Sequence, residues 1–261
     1  VTGYFSEIWR LRHFWLALVR IDLRKRYRRS IIGMGWSLLQ PIAMMLILCI
    51  VFSQLLKVNM HDFAPFLLSG LTCWGFLAAV VSEGCHCFLQ GEPYIRQQPA
   101  PLAIYALRTT LGAGFHFILG FLIVLVFVWW LMGFGHFAML PVVLPSFALF
   151  FIFGWAMAVC MGLANVMFQD SEHLIQIALQ IFFYATPIIY PPEMVMGRRL
   201  VSWLIRANPF AAFLELVRAP LLNGTLPSTW AVGMSVGATA IAVILAVLAL
   251  KRFEKRLIFY L

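Results

Sequence analysis

Residues 103–132 read AIYALRTTLGAGFHFILGFLIVLVFVWWLM, with Arg108 as the one Lys, Arg, Asp or Glu in the run. A helix on the surface of a soluble domain keeps a polar face, and this stretch has none. A helix of about 20 apolar residues crosses the hydrocarbon core of a bilayer, so the run reads as a membrane span. Similar runs lie on both sides of it. They extend from Trp36 to Leu56, from Phe63 to about Leu89 with Glu83 and His86 near the end, and from Leu140 to Phe168. A shorter run follows from Leu174 to Tyr190, and a last one from Trp230 to Leu250. The expectation is an all-α integral membrane protein with six spans, 36–56, 63–89, 103–132, 140–168, 174–190 and 230–250.

Composition agrees. Of 261 residues, 63% are hydrophobic and 11% charged, with a mean hydropathy of +0.92, whereas a soluble domain carries about a quarter charged residues. The apolar runs recur along the whole chain, which predicts one membrane domain over 1–261. The net charge of +9 would suggest nucleic acid on a soluble protein. Here the cations sit at the ends of apolar runs, where they set topology, and no nucleic-acid partner is expected.

The segment before the first span carries Arg10, Arg12, Arg20, Arg24, Lys25, Arg26, Arg28 and Arg29, and the tail carries Lys251, Arg252, Lys255 and Arg256. Six spans put both ends on one side, and both ends are basic, so both are expected in the cytoplasm. The loop 91–101 then faces the cytoplasm, as does the turn 169–173, while 57–62 and 133–136 face outward. Residues 1–30 are too polar to span. Ile8, Leu11, Trp15 and Leu18 recur at helical spacing, which predicts an amphipathic helix lying in the interface with its cations at anionic headgroups. No cleavable leader is expected, because no small-residue cleavage site follows the first strongly apolar run.

Between the fifth and sixth spans the pattern breaks. Pro187, Pro191 and Pro192 precede Arg198, Arg199, Arg206, Asn208-Pro209, Glu215 and Arg218. These runs are too short and too charged to cross, and they read as a re-entrant pair of half-helices over 191–225. Irregular backbone at membrane depth survives only against protein or a water-filled cavity, so the segment predicts an outward-facing pathway. Glu215 and Arg218, one turn apart, predict a local ion pair, and Glu83 is expected to bond Arg108 or a neighbouring subunit.

The chain has no G-x-x-x-x-G-K-[ST] loop, no H-E-x-x-H and no G-x-S-x-G elbow. Cys85-His86-Cys87 is an incomplete metal-ligand set. The intramembrane ionisable groups, Glu83 and Arg108, make a thin set for an ion-coupled carrier, and no repeat relates the two halves. The energy source is expected in a partner.

The run Arg26-Tyr27-Arg28-Arg29-Ser30-Ile31-Ile32-Gly33-Met34-Gly35-Trp36-Ser37-Leu38-Leu39-Gln40-Pro41 resembles the R-Y-x-x-S-x-L-G-x-x-W-x-x-L-x-P pattern of type-2 ABC export permeases, the Wzm-like subunits that export O-antigen, capsule or teichoic acid chains. Thr186-Pro187-Ile188-Ile189-Tyr190-Pro191 is similar to the family's [ST]-P-hydrophobic-x-Y-P run. Asn208-Pro209-Phe210 with Glu215 and Arg218 is similar to its N-P-hydrophobic…E-x-x-R segment. The resemblance implies a homodimer in a bacterial inner membrane, bound to two copies of a nucleotide-binding ATPase that holds ATP and Mg²⁺, with no cofactor in this chain itself. It implies that Glu92, Pro93, Tyr94, Ile95 and Arg96 form a cytoplasmic coupling helix. It makes a periplasmic gate of Arg198, Arg199, Arg206, Asn208, Pro209, Glu215 and Arg218, and a lipid-linked polysaccharide the cargo. The same family contains drug and simple-lipid exporters, and an enzyme acting on lipid-linked sugars is the rival from another class.

Two readings of the residues add to this. Arg24, Arg26, Arg28 and Arg29, besides anchoring topology, are candidates to receive the phosphates of a lipid-linked glycan, since guanidinium binds phosphate as a fork. Trp36, Trp74, Phe76, Phe182, Phe183, Tyr184 and Tyr190 are candidates to line a glycan path, because sugars rest apolar C–H faces on aromatic rings.

Overall fold

The fold is that of a computed structural model, which describes residues 2–56, 59–97, 100–194, 197, 199–254 and 257–260. Among the described residues the regular structure is helical throughout. In chain order the helices are α1 (Thr2–Arg10), α2 (Arg12–Tyr27), α3 (Trp36–Leu56), α4 (Met60–Cys85), α5 (Glu92–Ile95), α6 (Ala103–Met132), α7 (Leu140–Met167), α8 (Ser171–Ala185), α9 (Arg199–Ala207), α10 (Pro209–Leu222) and α11 (Thr229–Phe253). Among the described residues, five stretches are long and apolar enough to cross a membrane: Gly33–Phe52, Met60–Cys85, Ala103–Met132, Phe137–Met167 and Thr229–Phe253.

Local chemistry sets where these helices begin. Asn59 caps α4 by accepting from the His61 N–H at 3.1 Å. Ser228 caps α11 by accepting from Ala231 at 3.1 Å. Asn208 caps α10 by accepting from Phe210 at 2.9 Å, with Pro209 in the first turn, where its missing N–H costs nothing. α6 stops at Gly133, whose φ of 83° an L side chain rarely adopts.

α4 is the centre of the bundle. Leu67, Leu68 and Val80 are fully buried, and α4 packs against α6, α7, α3 and α8. With no hydrophobic driving force between helices inside lipid, close packing of small residues takes its place. A Cβ at Gly84 would stand 2.8 Å from the Cα of Ala158, and one at Gly162 would stand 2.8 Å from the Gly84 carbonyl oxygen. Further outward the filler is aromatic. Phe76 meets Phe150 at a tilt of 56° with centroids 5.0 Å apart, and Phe153 meets Phe213 of α10 at 4.9 Å. α7 also carries α11, which α10 packs beside.

The expected fifth span, 174–190, takes a different form. Helix α8 has 15 residues, about 22 Å of helix at 1.5 Å per residue, and ends at Ala185 because Pro187 cannot continue it. Residues 186–190 follow as bends. α8 runs along α4. Gln176 donates to the Ser82 hydroxyl at 2.6 Å. At its far end the Pro187 and Phe66 carbonyls meet on one guanidinium.

The N-terminal segment is two helices broken at Leu11 rather than one. Its apolar stripe turns into the protein: Leu18 and Val19 are buried, and α2 packs along α6.

Candidate functional site

Most of the ion pairs among the described residues gather at the end of the bundle that holds Tyr4 and Glu254. α2 supplies Asp22, which takes a two-pronged grip from Arg108 through Nε and Nη2. Arg108 is 10% exposed in this pair and Asp22 35%. One turn on, Arg26 Nη1 donates to Glu83 Oε1 at 2.8 Å, with both side chains about half-exposed. The Glu83–Arg108 bond expected from sequence is thus replaced by two pairs that both lead to α2. Tyr27, Ser37 and His116 close a third link, with His116 Nδ1 at 3.0 Å from the Tyr27 oxygen and 2.9 Å from the Ser37 oxygen. His86, following α4, faces Glu172 at 3.1 Å.

The segment expected to couple sits beside this cluster. α5 is one turn, closed by Arg96 Nε donating to Glu92 Oε1 at 2.8 Å. Glu92 is half-exposed, and Pro93 and Arg96 are exposed. Tyr94 and Ile95 pack inward, with Tyr94 edge-on to Phe14 of α2 at 6.0 Å. Tyr94, within the segment expected to form the coupling helix, is therefore a contact to α2, and the exposed part of α5 is Pro93 and Arg96. Of the headgroup candidates, Arg24, Arg28 and Arg29 are exposed and Arg26 is engaged with Glu83. Arg29 takes φ 68° at the joint between α2 and α3.

Arg26 and Glu83 also line a cavity of about 640 Å³ between α4 and α8. Ser82, Gln176 and Gln180 supply hydrogen-bonding groups to it, and Trp74, Phe183 and Tyr184 supply rings. Trp74 meets Phe183 at 5.7 Å, and Tyr184 is 64% exposed. The other path candidates lie elsewhere. Trp36 is exposed at the start of α3, and Phe182 packs on Phe210 at 5.2 Å. Tyr190 donates to the Tyr184 carbonyl at 3.1 Å. Phe76 is buried at 4% within the aromatic core, so in this structure it faces protein rather than a path.

At the opposite end Arg218 is the organising residue. It is 7% exposed and donates to the carbonyls of Pro187 at 2.6 Å, Phe66 at 2.9 Å and Ile188 at 3.2 Å, and to the Ser69 hydroxyl at 3.4 Å. Its guanidinium lies 3.7 Å from the centre of the Phe66 ring, a cation–π contact. Gly70 makes room: a Cβ there would lie 2.2 Å from Arg218 Nη2. Glu215 accepts from the Ser228 N–H at 3.1 Å, so the expected one-turn pair gives way to separate partners. Asn208 Nδ2 donates to the Thr186 hydroxyl at 2.8 Å, which ties the start of α10 to the end of α8. A second cavity, about 1110 Å³, opens here between α4, α10 and the start of α11, with Arg206 and Pro209's neighbour Ala211 among its lining. Arg199 is exposed on α9. Arg198 lies outside the described residues.

Sequence reasoning missed Asp22, Ser82, Gln176, Gln180 and the Tyr27–Ser37–His116 link. One signal was present. The chain has 10 acids against 19 Lys and Arg, so each acid, Asp22 included, was a candidate partner for a cation. The glutamines of α8 gave no signal, because only the packing beside α4 shows which way they face.

Against known proteins, two from Klebsiella pneumoniae, each named "O-antigen export system permease protein RfbA", are 26% identical over 214 residues, 78% of this chain and 78% of each relative. A Myxococcus xanthus protein of the same name is 24% identical over 255 residues, 96% of this chain and 95% of its own. Residues 13–222 match the family model described as ABC-2 type transporter. The matched region runs from α2 to the end of α10 and so contains both polar clusters and four of the five long apolar helices. The chain belongs to the ABC-2 type transporter family.

Proposed function

We propose that this chain is the membrane subunit of an ATP-driven exporter that carries a lipid-linked polysaccharide of O-antigen, capsule or teichoic acid type across the inner membrane. The observation that carries the reading is the full-length similarity to a protein named as an O-antigen export permease. Two copies of the chain would enclose the path, and two copies of a separate ATPase, holding ATP and Mg²⁺, would drive it. Docking would use the polar tip of α5, Glu92, Pro93 and Arg96.

The cavity between α4 and α8 supports the choice of cargo. A sugar ring needs an aromatic surface for its C–H face and amide or hydroxyl partners for its rim. Trp74, Phe183 and Tyr184 stand with Ser82, Gln176 and Gln180 in one place. Arg26 in the cavity's lining, with exposed Arg24, Arg28 and Arg29 on the same segment, suits the phosphate of a lipid carrier.

Six crossings are part of the proposal. Tyr4 and Glu254 are hydrogen-bonded at 2.9 Å, so the two ends of the chain lie at the same end of the bundle. Five crossings would separate them. The sixth is α8 continued by residues 186–190, which together run beside α4 from Ser82 to Phe66, about 24 Å of helix. α9 and α10 would be the outward gate. The basic termini put that shared end in the cytoplasm, with α2 at the interface, its apolar stripe against α6 and its arginines at the headgroups.

The test is co-purification with an ATPase and reconstitution in proteoliposomes. ATP turnover that depends on this chain, together with ATP-dependent movement of lipid-linked glycan, is the expected result. A purified chain that transports without any nucleotide-binding partner would sink the reading.

A further inference from the structure

Glu254 is placed against its own helix and in favour of another. It follows the last turn of α11, where it acts as the C-cap and donates its N–H to the Leu250 carbonyl at 2.8 Å. A carboxylate at a helix C-terminus meets the negative end of the dipole and is unfavourable there. Its Oε1 instead accepts from the Leu102 N–H at 3.3 Å, and Leu102 is the N-cap of α6, which has no side-chain cap of its own. The first N–H groups of a helix lack internal partners, and a negative charge at that end is favourable. The same Oε1 accepts from the Tyr4 hydroxyl at 2.9 Å, and the Tyr4 oxygen in turn accepts from the Ala103 N–H at 3.4 Å. Four groups from three distant parts of the chain therefore close a ring on the first residues of α6.

Tyr4 suits that ring. Burial, and secondarily the Glu254 charge, pushes its ionisation well above the usual tyrosine range, while the Ala103 N–H acts the other way. It remains a protonated donor at any physiological pH. The ring stands where the segment after α5 enters α6. Gly91, at the start of α5, lies against the Tyr105 ring, with room for no Cβ. A push on α5 reaches the start of α6 directly.

We propose that Glu254 and Tyr4 are positioning residues that fasten the cytoplasmic end of α11 to the start of α6, so that displacement of α5 by the ATPase moves α11 as well. This inference rests on the reading of α5 as the ATPase-coupling segment. It assigns the end of the chain a part in transmission that no docking contact requires.

The experiment measures glycan moved per ATP hydrolysed, using the full chain with its co-purifying ATPase in proteoliposomes. Glu254→Ala is expected to lower that ratio about tenfold, equivalent to about 1.4 kcal/mol of lost coupling, while assembly and ATP turnover stay within about twofold. Tyr4→Phe, which removes the hydroxyl's bonds to Glu254 and to the Ala103 N–H but leaves Glu254 on Leu102, should lower it about threefold. Glu254→Gln keeps an acceptor oxygen for both donors and should restore most of the ratio. An unchanged ratio in Glu254→Ala and Tyr4→Phe overturns the inference. So does a fall in transport matched by an equal fall in ATP turnover or in assembled complex, since that marks a merely structural role. If ATP turnover by the wild-type complex is independent of this chain, the coupling reading itself fails, and the failure shows before any variant is made.

Discussion

The two ends of the bundle hold their bridging cations by opposite means. At the terminus-bearing end, side chains bind side chains: Asp22 to Arg108, Arg26 to Glu83, and His86 against Glu172. At the other end one cation binds backbone, with Arg218 serving the carbonyls of Phe66, Pro187 and Ile188. Charged side-chain pairs can separate and re-form with water or new partners at modest cost when they are part-exposed. A buried guanidinium on backbone carbonyls has no such alternative, because each carbonyl it leaves inside the protein loses about 1–3 kcal/mol. At the first end the part-exposed pairs, Arg26–Glu83 and His86–Glu172, can exchange partners, while the buried Arg108 on Asp22 and, at the second end, Arg218 on its carbonyls cannot.

The largest effect should come from Arg218. Arg218→Met removes the donor to three carbonyls and one hydroxyl and is expected to destabilise the chain by about 3–5 kcal/mol. Arg218→Lys should recover little, because an ammonium lacks the planar fork that spans these acceptors. Thermal unfolding in detergent reads both, and a lysine variant of wild-type stability would break the contrast between the two ends.

Asp22 comes next. Asp22→Asn strands a largely buried Arg108 and is expected to cost about 3 kcal/mol, near the lower bound for breaking a buried pair because Asp22 keeps some contact with water. The exchange Asp22→Arg with Arg108→Asp should recover part of that loss. A double-mutant cycle with no coupling would show that the pair does not hold α2 to α6.

The smallest effect on stability belongs to Arg26→Gln, about 0.2–1 kcal/mol for an exposed pair, and weaker still at high salt. Export is expected to fall further than stability does. Arg26 with Arg24, Arg28 and Arg29 is proposed to meet the phosphate of the cargo, and the combined Gln variant at 26, 28 and 29 should insert normally and export poorly. Unchanged export from that variant removes the phosphate role and leaves Arg26 as a surface partner of Glu83.

How far the sequence could be read follows the same division. The long apolar helices were legible because a bilayer admits few ways to hide a backbone, and runs such as 103–132 leave one choice. Pairings between helices were not. Glu215 and Arg218 stand at helical neighbour spacing, yet the carbonyls freed around Pro187 hold Arg218, and the N–H at Ser228 holds Glu215. Spacing along a helix shows who could meet; tertiary acceptors decide who does. Glu83 is expected to meet Arg108 or a neighbouring subunit, but α2 packs along α6, so Asp22 takes Arg108 and Arg26 takes Glu83. The candidate path was legible in its rings Trp74, Phe183 and Tyr184, while its amides, Gln176 and Gln180, became visible only once α8 lay beside α4.

Helix α8 has one further consequence. If it crosses the membrane as proposed, its 15 residues supply about 22 Å of hydrogen-bonded cylinder where the insulating layer is about 30 Å deep. The remainder is bends at residues 186–190, with no ladder of their own. A charged or hydroxylated polymer passing beside such a crossing would meet irregular backbone at residues 186–190 in place of a closed helix. The shortfall that disqualifies α8 as an ordinary span would make it the natural wall of a conduit.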